Sequence, residues 1–237
     1  MKDETKQVYR VVGRTEENSR VVTLYLTRKD GNVPEYRAGQ FITVYFPELH
    51  TPEGKAYSLS SSPFEKRLAI TVKAMGEFSN KLHTLKVGDE ILASLPYGFF
   101  YSESEDSALV MIAAGIGIAP FRSMIHENLT RYPNRPVRVY YSERAEGALI
   151  FRDELDRLAA AHSHLEIIYH ITREDVVLPG MIKGRITPNE ILDSSRKFKN
   201  PEFLLCGSIS FIRDLWNGLR AAHIPEESIY TEAFFSH

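Results

Sequence analysis

Residues 108–129 read "ALVMIAAGIGIAPFRSMIHENL", three kinds of pattern in a row. The uncharged run Ala108–Ala114 is what a strand buried on both faces of a parallel sheet requires, because helices cover both of its faces. Gly115 and Gly117 interrupt it, and "FRSMIHENL" continues with apolar residues at helical spacing. Strand, glycine turn and helix predict the opening unit of an α/β sheet. The alternation recurs downstream as "VRVYY" before "FRDELDRLAAAH", "LEIIYHIT" before "ITPNEILDSS", and "EFLLCG" before "ISFIRDLWNGLRAAH". Parallel strands joined by right-handed crossovers follow.

Upstream the pattern differs. From Val8 to Tyr101 the runs "VYRVV", "VVTLYL", "QFITVYF", "LAITVKA" and "DEILASL" are short, alternating and rich in β-branched and aromatic residues, and "KDGN", "FPEL", "KVGDE" and "PYG" separate them. That is the signature of a small antiparallel sandwich or barrel. Only "FSNKLHTL" breaks it, reading as a short helix capped by Ser79 with Leu82 and Leu85 on one side. The acidic, serine-rich stretch "YSESEDS" (101–107) reads as a linker. The expected architecture is an antiparallel β-barrel domain over residues 1–102 and an α/β parallel-sheet domain over 103–237.

A length of 237 residues suits two such domains. An apolar fraction of 43% with 25% charged residues supports buried cores and argues against disorder. Lys and Arg total 29 against 31 Asp and Glu, so no strong field favours nucleic acid or an anionic membrane. The single cysteine, Cys206, excludes an internal disulfide and a four-cysteine iron–sulfur or zinc site. The eight histidines lack metal-ligand spacing, and His162 and His164 are expected to be solvated near a helix end. "MKDETKQVYR" has no apolar run after it, and no stretch is long and apolar enough to span a bilayer. The expected location is the cytoplasm, with no membrane span and no nucleic-acid partner.

Four short motifs carry possible chemistry. Gly115 and Gly117 lie between strand and helix, where backbone without Cβ atoms lets a dinucleotide approach the helix N-terminus; a tight turn with no ligand has the same composition. Pro120 stands in place of the third glycine of the plain dinucleotide fingerprint. Gly76 precedes Ser79 by three residues, a spacing suited to an anion beside free N–H groups or to simple N-capping. Cys206 sits at the carboxyl end of a buried strand, the edge where open α/β sheets bind ligands, although a lone cysteine also serves as apolar filler. Finally, "GKAYSLSSSP" (54–63) sets Tyr57 between Lys55 and a run of hydroxyls. A turn explains the serines but not the tyrosine.

Taken in order along the chain, these motifs resemble the ferredoxin–NADP reductase family. The resemblance implies a FAD-binding barrel followed by a nicotinamide-binding α/β domain. Lys55, Ala56, Tyr57 and Ser58 match the family's Arg-x-Tyr-Ser element: Lys55 at the pyrophosphate, Tyr57 on the isoalloxazine ring, Ser58 at its N5 edge. Lys55 keeps the arginine's charge and loses its planar fork. Val72 and Lys73 are further residues the resemblance implies at the cofactor. Gly76 and Ser79 match the diphosphate turn, which implies FAD rather than FMN, with the intervening Phe78 on the adenosine side. Gly115, Gly117 and Pro120 match the nicotinamide turn, with Ile116 where threonine is common. Cys206 and Gly207 match the Cys-Gly beside the hydride path, and Glu232 and Phe234 match the terminal Glu-x-aromatic. Phe234 is expected to cover the ring face opposite Tyr57, and Phe235 to anchor the tail. Arg144, Thr172 and Arg173 resemble the set that binds the 2′-phosphate, favouring NADPH over NADH. Ser58, Cys206 and Glu232 would then act in catalysis by positioning and polarity.

The implied activity is electron transfer from NAD(P)H through FAD to a separate acceptor, ferredoxin or flavodoxin first. The rivals are the reductase component of an oxygenase system and a diaphorase or flavin reductase with a small acceptor. A non-catalytic flavoprotein subunit is the reading from another class.

Overall fold

The computed structural model describes residues 6–175 and 178–234. They form two compact units. Residues 6–99 and 119–127 make up the first; 100–118, 128–175 and 178–234 make up the second.

The first unit is built on β1 (Lys6–Asn18), β2 (Val21–Arg28), β3 (Phe41–Tyr45), β4 (Lys55–Ser58), β5 (Leu68–Lys73) and β6 (Glu90–Ser94). The strand order is β4-β3-β6-β1-β2-β5 with every pairing antiparallel. A bridge from Leu59 to Ile70 joins the chain leaving β4 to β5 and brings the two edges of the sheet together at that point. The inward residues of the alternating runs, among them Leu24, Leu26, Ile42, Val44, Leu59 and Ile70, are fully buried, each stabilising the fold by about 1.5–3 kcal/mol. Helix α1 (Glu77–Thr84) seals one end of this core with Phe78 and Leu82, four residues apart on one face.

The start of α1 differs from the sequence expectation. Gly76 is the N-cap, and Ser79 is the third helical residue. The Ser79 hydroxyl folds back, accepting from the N–H of Met75 (2.9 Å) and Gly76 (3.0 Å) and donating to the Gly76 carbonyl (3.0 Å). A serine three residues in can satisfy the entering backbone while the cap, being glycine, has no side chain to do so.

The second unit carries β7 (Leu109–Ala114), α2 (Ile118–Arg131), β8 (Val137–Glu143), α3 (Arg152–Ala161), β9 (Leu165–Ile171), β10 (Met181–Lys183), α4 (Pro188–Ser195), β11 (Glu202–Ser208), α5 (Ile209–Ala221) and β12 (Ile229–Phe234), although residues 119–127 of α2 group with the barrel. Its sheet runs β10-β9-β8-β7-β11-β12, all parallel. The chain winds outward from β7 through β8 and β9, then returns to lay β11 on the other side of β7. The topological switch point therefore lies at the carboxyl ends of β7 and β11.

The described chain ends in a strand, Ile229–Phe234 pairing with Phe203–Ser208 at the sheet edge; Phe235 lies outside the described residues. Two local expectations are corrected. The stretch 101–107 is tied down. Buried Arg135 donates from Nε to the Ser107 carbonyl (2.6 Å) and from Nη2 to the Ser102 hydroxyl (2.9 Å), because a buried guanidinium must find acceptors. His162 and His164 are half-buried, their rings edge-on at 5.6 Å, and the His164 Nε2 is buried without a hydrogen-bond partner. No helix among the described residues is long and apolar enough to cross a membrane.

Candidate cofactor and nucleotide sites

In the first unit, β4 pairs with β3 so that Tyr57 lies opposite Ile42. Its ring lies nearly parallel to that of Phe78 on α1, with centroids 6.3 Å apart and planes at 21°. Phe78 in turn tilts against Phe46 at 4.8 Å. Two ammonium groups rim these rings. Lys55 Nζ lies 5.9 Å from the Phe78 centroid, and Lys81 Nζ lies 4.7 Å from that of Phe46 while pairing with Glu48. Lys55 has no ion-pair partner among the described residues. Burial pushes the Tyr57 phenol well above the ordinary tyrosine value, so the side chain is a neutral flat face with a polar tip.

Gly76 stands beside this wedge. Its φ of −151° is ordinary extended backbone, and an ideal Cβ there would meet nothing within 4 Å. The fold itself makes no demand for glycine at this position, and the space is open at the start of a helix whose first N–H groups lack intrahelical partners. An aromatic face, a free ammonium and an open helix start suit a flat ring joined to a diphosphate, so the residues present fit a flavin dinucleotide. Of the remaining expected residues, Ala56 is exposed, Lys73 half-buried and Ser58 buried at the end of β4. The Val72 side chain is fully buried in the barrel core, so only its main chain faces outward to a ligand.

The hydroxyl run after Tyr57 divides into two roles that sequence reasoning did not separate. Ser60, Ser61 and Ser62 point inward and are buried. Thr71 donates to the Ser60 hydroxyl (2.8 Å), the Ala69 N–H donates to the Ser61 hydroxyl (2.8 Å), and the Tyr36 hydroxyl bonds that same group (2.9 Å). These serines staple the barrel. The only cue to this was the alternation of Leu59 with serines, too short to reveal a direction.

In the second unit the turn Gly115–Gly117 sits at the switch point. Gly115 has φ +60° with open space around it, the nearest atom to an ideal Cβ being Glu143 Oε1 at 3.6 Å. Gly117 has φ −60°, available to any residue, yet its Cβ would lie 2.7 Å from the Cys206 carbonyl carbon and nearer still to the oxygen. Glycine at 117 thus lets the turn press on β11. Close approach of a ligand is a rationale for Gly115 alone. Pro120 is the third residue of α2, where a missing N–H costs nothing. Cys206 lies between Ala113 of β7 and Glu232 of β12 in register. Its thiol is fully buried and raised well above the usual range, by burial first and then by the Glu232 charge. Gly207 follows, with the Phe211 ring 2.9 Å from where its Cβ would be, and Phe234 is paired with Ser208.

At the neighbouring strand ends, Arg144 and Arg173 are exposed and unpaired with any carboxylate among the described residues, and the Arg173 N–H bonds the Arg144 carbonyl (2.9 Å). Thr172 is less free. Its hydroxyl donates to the Glu143 carbonyl (3.2 Å), so that proton already has an acceptor.

Residues 111–216 match the family described as oxidoreductase NAD-binding domain. A flavohemoprotein of Rhodopirellula baltica is 31% identical over 247 residues, an alignment that covers 94% of this chain and 59% of that protein. The chain thus spans about three fifths of the curated relatives it matches. A ferredoxin NADP+ reductase of Neisseria gonorrhoeae with bound FAD and NADP superposes with a TM-score of 0.79 at 23% identity, over 98% of this chain and 99% of that one. An Amycolatopsis cytochrome P450 reductase reaches 0.84 at 19% identity, over 97% and 69%.

Residues 111–216 are those of an oxidoreductase NAD-binding domain, and the fold of the chain is that of the ferredoxin–NADP reductases. Its barrel and its parallel sheet are the two parts of the ferredoxin–NADP reductase fold, and each part holds one of the two residue sets described above. Among the described residues, no three His, Cys, Asp or Glu side chains converge as metal ligands.

Proposed function

We propose that the chain is a FAD-dependent NAD(P)H oxidoreductase that passes electrons to a separate acceptor, with residues 1–102 binding the flavin and 103–237 the nucleotide. The observation that carries this reading is the Tyr57–Phe78 stack beside the open helix start at Gly76. FAD, when bound, supplies a ring that takes hydride from a nicotinamide and gives up electrons to an acceptor. The chain's own residues bind and align. Tyr57 offers the ring face, Ser58 a hydroxyl for the ring's polar edge, and Lys55 with the N–H groups at the start of α1 holds the diphosphate.

On the nucleotide side, Gly115–Gly117 admits the dinucleotide to the start of α2. Cys206 and Glu232 set polarity at the carboxyl edge of the sheet. Phe234, paired with Ser208 in β12, is the aromatic assigned to the flavin ring. Arg173 and Arg144 favour NADPH over NADH through the 2′-phosphate.

Ferredoxin or flavodoxin is the first acceptor class, since one cysteine leaves no iron–sulfur ligand set within these residues. A haem protein is the second, supported by the flavohemoprotein relatives. Anaerobic addition of NADPH or NADH to the yellow holoprotein is the test. Bleaching by either supports the reading, and bleaching by neither ends it. Reoxidation by added ferredoxin, flavodoxin or a ferric globin then ranks the acceptors.

A further inference from the structure

Helix α2 carries, five residues past Gly117, two side chains that none of the roles above uses. Arg122 Nη1 donates to the Ser60 carbonyl at 2.7 Å and to Glu65 Oε1 at 3.0 Å. Ser123 donates its hydroxyl to the Ser61 carbonyl at 2.5 Å, and the Tyr36 hydroxyl reaches the same carbonyl at 3.0 Å. Glu65 Oε1 also accepts from the Ser62 N–H at 2.8 Å. All of these residues belong to the first unit. The main chain of Ser60–Ser62 is thereby clamped from one helix, two residues beyond Ser58 and three beyond Tyr57.

We propose that Arg122 and Ser123 are positioning residues that hold the Tyr57–Ser58 platform in register; this rests on the oxidoreductase reading above. β4 has four residues, pairs with β3 on one side and is followed by the Leu59–Ile70 bridge to β5. The aim of Tyr57 and Ser58 therefore depends on what anchors the chain as it leaves the strand. Neutral bonds to β5, such as Ser60 N–H to the Ala69 carbonyl (2.8 Å), hold one side, and the Arg122 clamp adds a charge-assisted bond, shorter and stronger than a neutral one. Glu65 balances the largely buried guanidinium, so the clamp leaves no uncompensated charge. Ring alignment for group transfer is sensitive to displacements of an ångström. Slack at Ser60–Ser61 therefore reaches the chemistry without touching a cofactor ligand.

The test compares wild-type holoprotein with Arg122→Ala, Arg122→Lys and Ser123→Ala. FAD content and nucleotide affinity should stay within about twofold of wild type, while the limiting rate of flavin reduction falls by about ten- to a hundredfold in Arg122→Ala. Amide exchange across residues 58–62 should quicken in both alanine variants, the visible dichroism of the bound flavin should change, and lysine should recover part of each effect. Wild-type rate and exchange in both alanine variants would overturn the proposal. Should Arg122→Ala fail to fold with FAD, Ser123→Ala decides by the same readouts, since it removes one hydroxyl. If wild type holds FAD but neither nucleotide reduces it, the oxidoreductase reading fails, and exchange and dichroism alone decide the positioning role.

Discussion

The Cys206 carbonyl occupies the space that a side chain on Gly117 would need: its carbon lies 2.7 Å from an ideal Cβ. The glycine turn and β11 are in backbone contact, and the two neighbouring glycines are required for different reasons. Gly117 is constrained by packing at an ordinary φ, and Gly115 by a φ of +60° with space to spare.

Gly117→Ala should therefore cost more than Gly115→Ala. Overpacking costs about 1–3 kcal/mol and reaches the top of that range where the clashing atoms are backbone that cannot rotate away, whereas a left-handed alanine costs about 1–2 kcal/mol. Urea denaturation of both variants measures the difference. Equal midpoints would mean that β11 yields easily.

Gly76 lies at the opposite extreme. Nothing in the fold fills the space beside it, so Gly76→Val should cost only a favoured N-cap residue, about 0.5–1 kcal/mol, and lower the thermal midpoint of the flavin-free protein by about 1–4 °C. FAD retention should drop sharply. Flavin released by heat from the wild type should run as FAD on chromatography; FMN alone would remove the diphosphate role of this turn.

Arg173 is exposed at the end of β9 with no ion-pair partner among the described residues. Arg173→Gln removes a charge-assisted bond worth about 1.5–3 kcal/mol and should weaken NADPH by about tenfold or more, leaving NADH nearly unchanged. Equal losses for both nucleotides, or a wild type that prefers NADH, would withdraw the assignment to the 2′-phosphate.

His164 gives the stability curve an acid slope. Burial and, secondarily, the neighbouring His162 hold its imidazole below the ordinary histidine value. Between that folded value and about 6.5 in the unfolded chain, the unfolded state binds more protons, so stability rises with pH. The contribution is complete above about pH 6.5 and is lost as pH falls through the folded value. His164→Gln should flatten the curve below pH 6.5 and leave its slope at pH 8 unchanged. Denaturant titrations across pH 5 to 8 test this, and a slope that survives the substitution would assign it elsewhere.

The two-part architecture was legible in the chain because each part has its own period. Alternating β-branched runs can bury one face only, while the uncharged run at 108–114 needs cover on both. The glycines and Tyr57 were equally visible, being residue types that ordinary turns and strand ends do not call for together. Tertiary structure decided what each of them does. Whether Gly117 makes room for a ligand or for β11, whether a serine after Tyr57 faces outward or staples the barrel, and where the tail pairs depend on residues 89, 8 to 25 and 26 positions away. Arg135 over the 101–107 stretch and Arg122 over Ser60 are further cases. A local pattern records which face a residue must bury, but the partner that satisfies a buried polar group is chosen by long-range packing, and short-range sequence carries no trace of it.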